Sequence, residues 1–200
     1  MLNRSDRYIA LAGLMLLLSG AAVWQIGAPV DRAILDCFRL RVDSPFAQAV
    51  AIFSRLGGLA ILATAALIIV VALALRGRRY EATWLFTTIA TGRAVIEAAK
   101  ELLGRARPPI EDHLAVVTSH SFPSSHSAGS MLTGLALASV LAPGSGAWRA
   151  FAMTFACAIG ASRIALGVHW PSDVIAGLGF GMVWIGLAAC ALKPHKAAHP

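Results

Sequence analysis

The chain is poor in charge, in cysteine and in clustered carboxylates, and each shortage removes a class of function. Only 14% of its 200 residues are charged, against 58% that are hydrophobic, which is not the balance of a water-soluble domain. Its three cysteines, Cys37, Cys157 and Cys190, show no C-x-x-C spacing, so neither a disulfide framework nor a zinc site is implied. Cys157 and Cys190 lie inside apolar stretches, where a thiol behaves as a small hydrophobe. No H-E-x-x-H occurs, nor any group of carboxylates at metal-ligand spacing, and this argues against a metal-dependent hydrolase. The formal charge of +7 would suit nucleic acid, yet no basic run is interleaved with aromatic residues, so no nucleic-acid partner is expected. The sequence has no internal repeat, no low-complexity tract other than the polar tail after Leu192, and no stretch of soluble-domain composition.

What the chain does have is long apolar runs, with a mean hydropathy of +0.71. A membrane helix needs roughly 20 mostly apolar residues to cross a hydrocarbon core of about 30 Å. Six stretches qualify, at residues 8–26, 56–75, 82–103, 127–141, 148–166 and 174–192. They predict an all-α fold, a six-span transmembrane helical bundle making one domain over residues 1–200, with membrane lipid as its solvent. The run at 127–141 is short, and the run at 82–103 carries Arg93, Glu97, Lys100 and Glu101. In the first run the apolar character continues through Val23, Trp24 and Ile26, which favours a retained span over a cleaved leader.

Six spans put both termini on one side. The loops of that side hold Arg4, Arg7, Arg76, Arg78, Arg79, Arg149, Lys193 and Lys196, so the positive-inside rule places both termini in the cytoplasm. The opposite loops also carry arginines, among them Arg32, Arg39, Arg41, Arg55, Arg105 and Arg107, but the first three are mixed with Asp31, Asp36 and Asp43. Between the first two spans, Val30, Ile34 and Phe38 fall at helical spacing with Asp31, Arg32 and Asp36 between them, the pattern of a short amphipathic helix at the outer interface.

Ionisable residues inside a span are costly unless they face a cavity or a partner. Arg93 and Glu97 are four apart and able to neutralise each other across one helical face. Lys100 and Arg107, seven apart, would share a face if the helix persisted through Gly104 as far as Pro108 and Pro109. Ser124 or Ser125 suits a helix N-cap, and His126 beside them is placed to give a proton to a bound phosphate ester. Ser162 and Arg163 close one span, and His169 and Asp173, four apart, flank the start of the next, where Pro171 fits a first helical turn. The Asp173 carboxylate can accept the imidazole Nδ1–H of His169, leaving Nε2 as a nucleophile.

All three clusters fall at one membrane face of the six-span arrangement. Lys100, Arg107 and Arg163 supply positive charge without enough acidic partners to cancel it, and the natural target is a dianionic phosphate. Such cations stabilise a phosphoryl-transfer transition state much as a metal does, so no metal and no cofactor is expected. Glu111, Asp112, His113 and His120 in the same outer loop read as solvated residues that at most brush a head group.

At these residues the sequence resembles the type 2 phosphatidic acid phosphatase family, which shares its fold core with vanadium haloperoxidases. The family's K-x6-R-P is read here as Lys100, Arg107 and Pro108, and its S-R-x5-H-x3-D as Ser162, Arg163, His169 and Asp173. Its P-S-G-H becomes Pro123, Ser124, Ser125 and His126, with Ser125 in place of the glycine. The resemblance implies that Lys100, Arg107, Ser124, Ser125, His126 and Arg163 hold a phosphate, His126 acts as the acid, His169 attacks and Asp173 orients it. It implies a phosphatase of lipid phosphates in a bacterial inner membrane, with the site facing the periplasm or exterior. Phosphatidic acid, phosphatidylglycerol phosphate, a polyprenyl pyrophosphate, a lipid A phosphate and a sphingoid phosphate all fit such a site. A lipid phosphotransferase, in which an alcohol replaces water, is the nearest alternative. A non-catalytic membrane scaffold has no need of His169 and Asp173, and a soluble haloperoxidase has no need of the spans.

Overall fold

Polar and glycine-bearing breaks between the apolar runs become the helix ends. The computed structural model describes residues 4–109, 111 and 113–191, and in them the regular structure is helical, without a strand. Asp112, Lys193, Lys196 and the last residue of the 174–192 span lie outside the described residues. The helices are α1 (Arg4–Ile26), α2 (Ala28–Phe38), α3 (Ala47–Arg55), α4 (Leu59–Leu75), α5 (Arg79–Leu103), α6 (Ser125–Leu141), α7 (Gly146–Ala165) and α8 (Pro171–Ala189). Three stretches, Ser5–Ile26, Ala47–Leu75 and Pro171–Ala189, are long and apolar enough to cross a membrane. Leu11, Met15 and Leu18 of α1 and Leu67, Ile68 and Val71 of α4 are exposed, an apolar belt suited to lipid. The chain is an integral membrane protein.

α6 is the central rod, packed against α7 and α8 on one side and α4 and α5 on the other, with α1 lying along α8. Leu85, Met131, Leu135, Ala156 and Ile185 form the middle of the core. Two indole N–H groups tie α5 to α8 through that apolar interior: Trp84 Nε1 donates to Ala188 O (2.8 Å) and Trp184 Nε1 to Thr88 O (3.0 Å). α1 and α8 approach so closely that a Cβ added at Gly13 would lie 2.8 Å from Gly179 O, the small-residue contact by which membrane helices pack.

Three local features differ from the sequence expectation. α5 does not run on to the prolines: Gly104 adopts φ 57° and its N–H donates to Lys100 O (3.0 Å), an αL cap that ends the helix at Leu103. Lys100 and Arg107 therefore share no helical face, and the loop after Gly104 carries Arg107 back towards Lys100. α3 lies between the first two expected spans where no helix was expected; it is a separate short helix, divided from α4 by Gly57 and Gly58. α2 is the expected amphipathic helix, but Asp31 on it is wholly buried, not on its solvated polar face.

The ends that matter gather at one end of the bundle: the C-termini of α5 and α7, the N-termini of α6 and α8, and the α3–α4 turn.

Candidate active site

α7 ends at Ala165, a turn follows, and Pro171 opens α8, so Asp173 stands in the first turn with its side chain folded back over the preceding loop. Its Oδ2 accepts from Trp170 N (2.9 Å) and from Ser121 Oγ (2.5 Å), and lies 3.3 Å from His169 Nδ1. On the other edge of the ring, Arg107 Nη1 is 3.1 Å from His169 Nε2. A guanidinium can only donate, so Nε2 accepts and the imidazole proton sits on Nδ1, directed at Asp173. Complete burial, then Arg107, Lys100 and Arg163, hold His169 well below the ordinary 6.5, so the ring is neutral.

In front of His169 is a cavity of about 160 Å³, lined by Arg93, Glu97, Lys100, Arg107, Ser125, His126 and Arg163, with Gly57, Leu59 and Val117 to Ser119 as its rim. Four cations thus face one carboxylate. Arg93 Nη2 takes that carboxylate, Glu97, at 3.3 Å, the pairing their spacing predicts. Among the described residues, no ion pair within 4.0 Å involves Lys100, Arg107 or Arg163. They lean on neutral oxygens instead. Lys100 Nζ donates to His120 O (2.5 Å), Arg107 to Ser119 O (2.7 Å) and Val168 O (2.6 Å), and Arg163 Nη1 to Ser54 Oγ (2.9 Å). Burial draws the Arg107 guanidinium below its ordinary value, with Asp173 opposing. Among the described residues, Arg93 Nε and Arg163 Nε are buried without a hydrogen-bond partner.

The three serine positions separate. Ser124 is the N-cap of α6; its Oγ accepts from Ser127 N (3.4 Å) and Ser127 Oγ (3.0 Å), and it is fully buried behind the cavity wall. Ser125 does line the cavity, with its Oγ donating to Glu97 Oε1 (3.0 Å) while Arg93 Nη1 holds its carbonyl (2.8 Å). Asp173 stands behind His169 and does not line the cavity. Of the outer-loop residues, Glu111 is exposed, His113 bonds Pro108 O (3.0 Å), and His120 contributes its backbone carbonyl. Among the described residues, no group of three His, Cys, Asp or Glu is placed to hold a metal ion.

Sequence reasoning missed a layer behind the histidine. Arg105, which the sequence offers only as a loop arginine, bridges Asp31 Oδ2 (2.7 Å) and Asp173 Oδ1 (2.5 Å). Ser121 and Ser54 were missed as well. A serine beside an X-Pro pair or inside an apolar run carries no local mark of such a partner.

A profile of the PAP2 superfamily matches residues 81–196, more than half of the chain. Two curated relatives, the lipid A 1-phosphatases of Rhizobium etli and Rhizobium johnstonii, are 38% identical over 114 residues and 37% identical over 120 residues. These alignments take in 49% and 52% of this chain and 44% of each relative, so the chain spans less than half the length of the curated relatives it matches. The crystal structure of the first transmembrane PAP2-type phosphatidylglycerolphosphate phosphatase from Bacillus subtilis superposes with a TM-score of 0.76 at 24% identity, over 90% of this chain and 94% of that one. That likeness shows the fold.

Proposed function

The chain belongs to the PAP2 superfamily, and from that premise we propose that it is a membrane lipid phosphatase working through a phosphohistidine at His169. The observation that carries the reading is the two-sided environment of His169. Nδ1 is committed to Asp173, while Nε2 faces a cavity with four cations and one carboxylate.

A lipid phosphate entering the cavity gives Arg107 and Arg163 better acceptors than the neutral oxygens they now hold, and Arg107 leaves Nε2. His169 Nε2 attacks phosphorus as the P–O bond to the lipid breaks. His126, charged as the imidazolium once the phosphate dianion lies against it, donates a proton to the leaving oxygen and becomes neutral. Then a water, giving its proton to His126, attacks phosphorus; the P–N bond breaks, inorganic phosphate departs and neutral His169 is restored. Lys100, Arg107 and Arg163 carry the charge that develops on the phosphoryl oxygens, the work that a metal performs elsewhere.

The spans in this reading number six, α1, α4, α5, α6, α7 and α8, in one domain, with α2 and α3 at the outer face. α5 crosses despite its charges because Arg93, Glu97 and Lys100 face the cavity. Both termini are cytoplasmic and the site opens to the periplasm of an inner membrane. The names of the relatives favour a lipid A phosphate or phosphatidylglycerol phosphate as substrate, with phosphatidic acid and polyprenyl pyrophosphate next.

Detergent-purified protein is given this panel of lipids in EDTA, and phosphate release is measured beside His169→Ala. The expected result is release that EDTA leaves intact and the substitution lowers by about 10³-fold or more. Activity that EDTA abolishes, or that survives His169→Ala, refutes the mechanism.

A further inference from the structure

Behind His169, away from the cavity, a charged cluster is sealed into the protein. Arg105 belongs to the loop after α5 and does not line the cavity. Its Nη1 donates to Asp173 Oδ1 (2.5 Å) and Ser172 Oγ (2.7 Å), and its Nη2 donates to Asp31 Oδ2 (2.7 Å). Asp31 also accepts from Ser172 N (2.9 Å) and Ser172 Oγ (2.5 Å). Asp31, Ser172 and Asp173 are 0% exposed and Arg105 9%. The rings of Trp24, Trp170 and Phe122 surround the guanidinium, at 5.3, 5.8 and 6.0 Å from its centre.

Burying three charges is expensive, and an apolar cluster of the same volume would hold α2 against α8 at least as well. A guanidinium bonded along two edges is fixed in its plane, and so is the carboxylate it holds. With Oδ1 taken by Arg105, Asp173 presents only Oδ2 to His169.

We propose that Asp31 and Arg105 form a positioning pair for the His169–Asp173 couple. Arg105 sets the rotation of the Asp173 carboxylate, and Asp31 offsets the Arg105 charge so that the imidazole still feels a net negative field from behind. This rests on the reading of His169 as nucleophile. One guanidinium between two carboxylates leaves a net charge of −1 on that side, opposing Lys100 of α5, Arg107 of the following loop and Arg163 of α7. Ser121 of the loop before α6 and the titratable His126 of α6 face the ring as well.

The two members act on His169 with opposite sign. Removing the Arg105 charge leaves more negative field, favours the imidazolium and moves the acid limb of kcat/KM to higher pH. Removing the Asp31 charge does the reverse. Each displacement is about half a unit to one unit, as expected for a charge one residue removed from the titrating ring.

The test is the pH dependence of kcat/KM for phosphate release from one lipid phosphate, by the intact protein in detergent, for wild type, Arg105→Gln, Arg105→Lys and Asp31→Asn. The substrate's own ionisation is common to all four and cancels. Arg105→Gln is expected to shift the limb up and Asp31→Asn down. Arg105→Lys restores the limb but not the full kcat, because an ammonium supplies charge without the two-edged grip. Limbs that coincide with wild type, or that move together, overturn the proposal, since a purely structural role lowers activity without opposite shifts. Should the charge variants fail to accumulate, Ser172→Ala keeps both charges and removes the hydroxyl they share. It is expected to lower kcat several-fold with KM unchanged, and an unchanged kcat overturns the proposal. His169→Ala separates the two readings. If it stays active, the nucleophile assignment falls; if it is inactive and the limbs do not move, the positioning pair alone falls.

Discussion

Arg107 Nη1 donates to His169 Nε2 across 3.1 Å, so the nitrogen expected to attack is held by the cation expected to bind its target. The contact orders events. A phosphate must draw Arg107 away before Nε2 has a free lone pair, and it does so because a phosphate oxygen is a stronger acceptor than an imidazole nitrogen. The same contact places the ring proton on Nδ1, where Asp173 and Ser121 receive it.

The first prediction follows from that arrangement. His169 is pushed well below 6.5, first by burial and then by Arg107, Lys100 and Arg163. A depressed histidine remains neutral, and therefore nucleophilic, to lower pH than a free one; its protonation costs the folded state stability as pH falls below the unfolded value. A ¹⁵N-histidine titration in micelles is expected to show the His169 ring titrating below 6.5, and Arg107→Gln is expected to move it upward. A wild-type ring titrating at or above that value contradicts the assignment.

Arg163 carries the second prediction. Its Nη1 donates to Ser54 Oγ at 2.9 Å, and among the described residues its Nε is buried without a partner. Arg163→Lys keeps the charge but cannot present the fork, so kcat/KM for phosphate release should fall by about 10- to 100-fold. Inhibition by added inorganic phosphate should weaken in parallel. A variant that matches wild type in both measurements would remove Arg163 from the binding set.

How much of this was legible depended on how local each relation is. His169 and Asp173 are four apart and need only one turn of backbone to meet, so spacing alone brings them together. Arg93 and Glu97 are the same case. Lys100 and Arg107 were legible as a pair for the wrong reason: both line the cavity, but Gly104 ends the helix between them and a loop does the joining. The Arg105–Asp31 bridge spans 74 residues, and Asp31 sits in the same polar stripe as Arg32 and Asp36, so no local property distinguishes the buried carboxylate from the solvated one. Ser124 shows a different limit. A serine ahead of a helix suits a cap and a phosphate ligand equally, and only the direction of its hydroxyl separates them.

Ser125 gives the third prediction. It stands where the family has glycine, and its hydroxyl is tied to Glu97 at 3.0 Å on the cavity wall. Ser125→Gly removes that hydroxyl from the path of a bulky head group while leaving the Ser124 cap intact. Its stability cost is about 1 kcal/mol or less, from one exposed hydrogen bond and a glycine in a first helical turn. The kcat/KM for lipid phosphates with large head groups should rise on the order of threefold relative to phosphatidic acid. An equal change on both substrates would mean that Ser125 does not govern head-group size.

The fourth prediction concerns what holds the site's scaffold in place. α8 carries Asp173 at its first turn and is braced along its length by α1. At Gly13 an added Cβ would fall 2.8 Å from Gly179 O and 2.9 Å from Val183 N, both backbone atoms that no rotamer change can move. Lipid provides little hydrophobic drive between helices, so close backbone approach supplies much of the association, and a side chain here separates the pair along several turns. Gly13→Val is therefore expected to cost about 1–3 kcal/mol, read as a lower midpoint of thermal unfolding in detergent. Its activity at low temperature should fall less than its stability, because the site lies at the end of the bundle and Gly13 in its interior. Gly146→Ala is the control: a Cβ there meets nothing within 4 Å, and its midpoint should stay close to wild type. Equal losses in the two variants would show that α1 contributes no specific contact to α8 at this crossing.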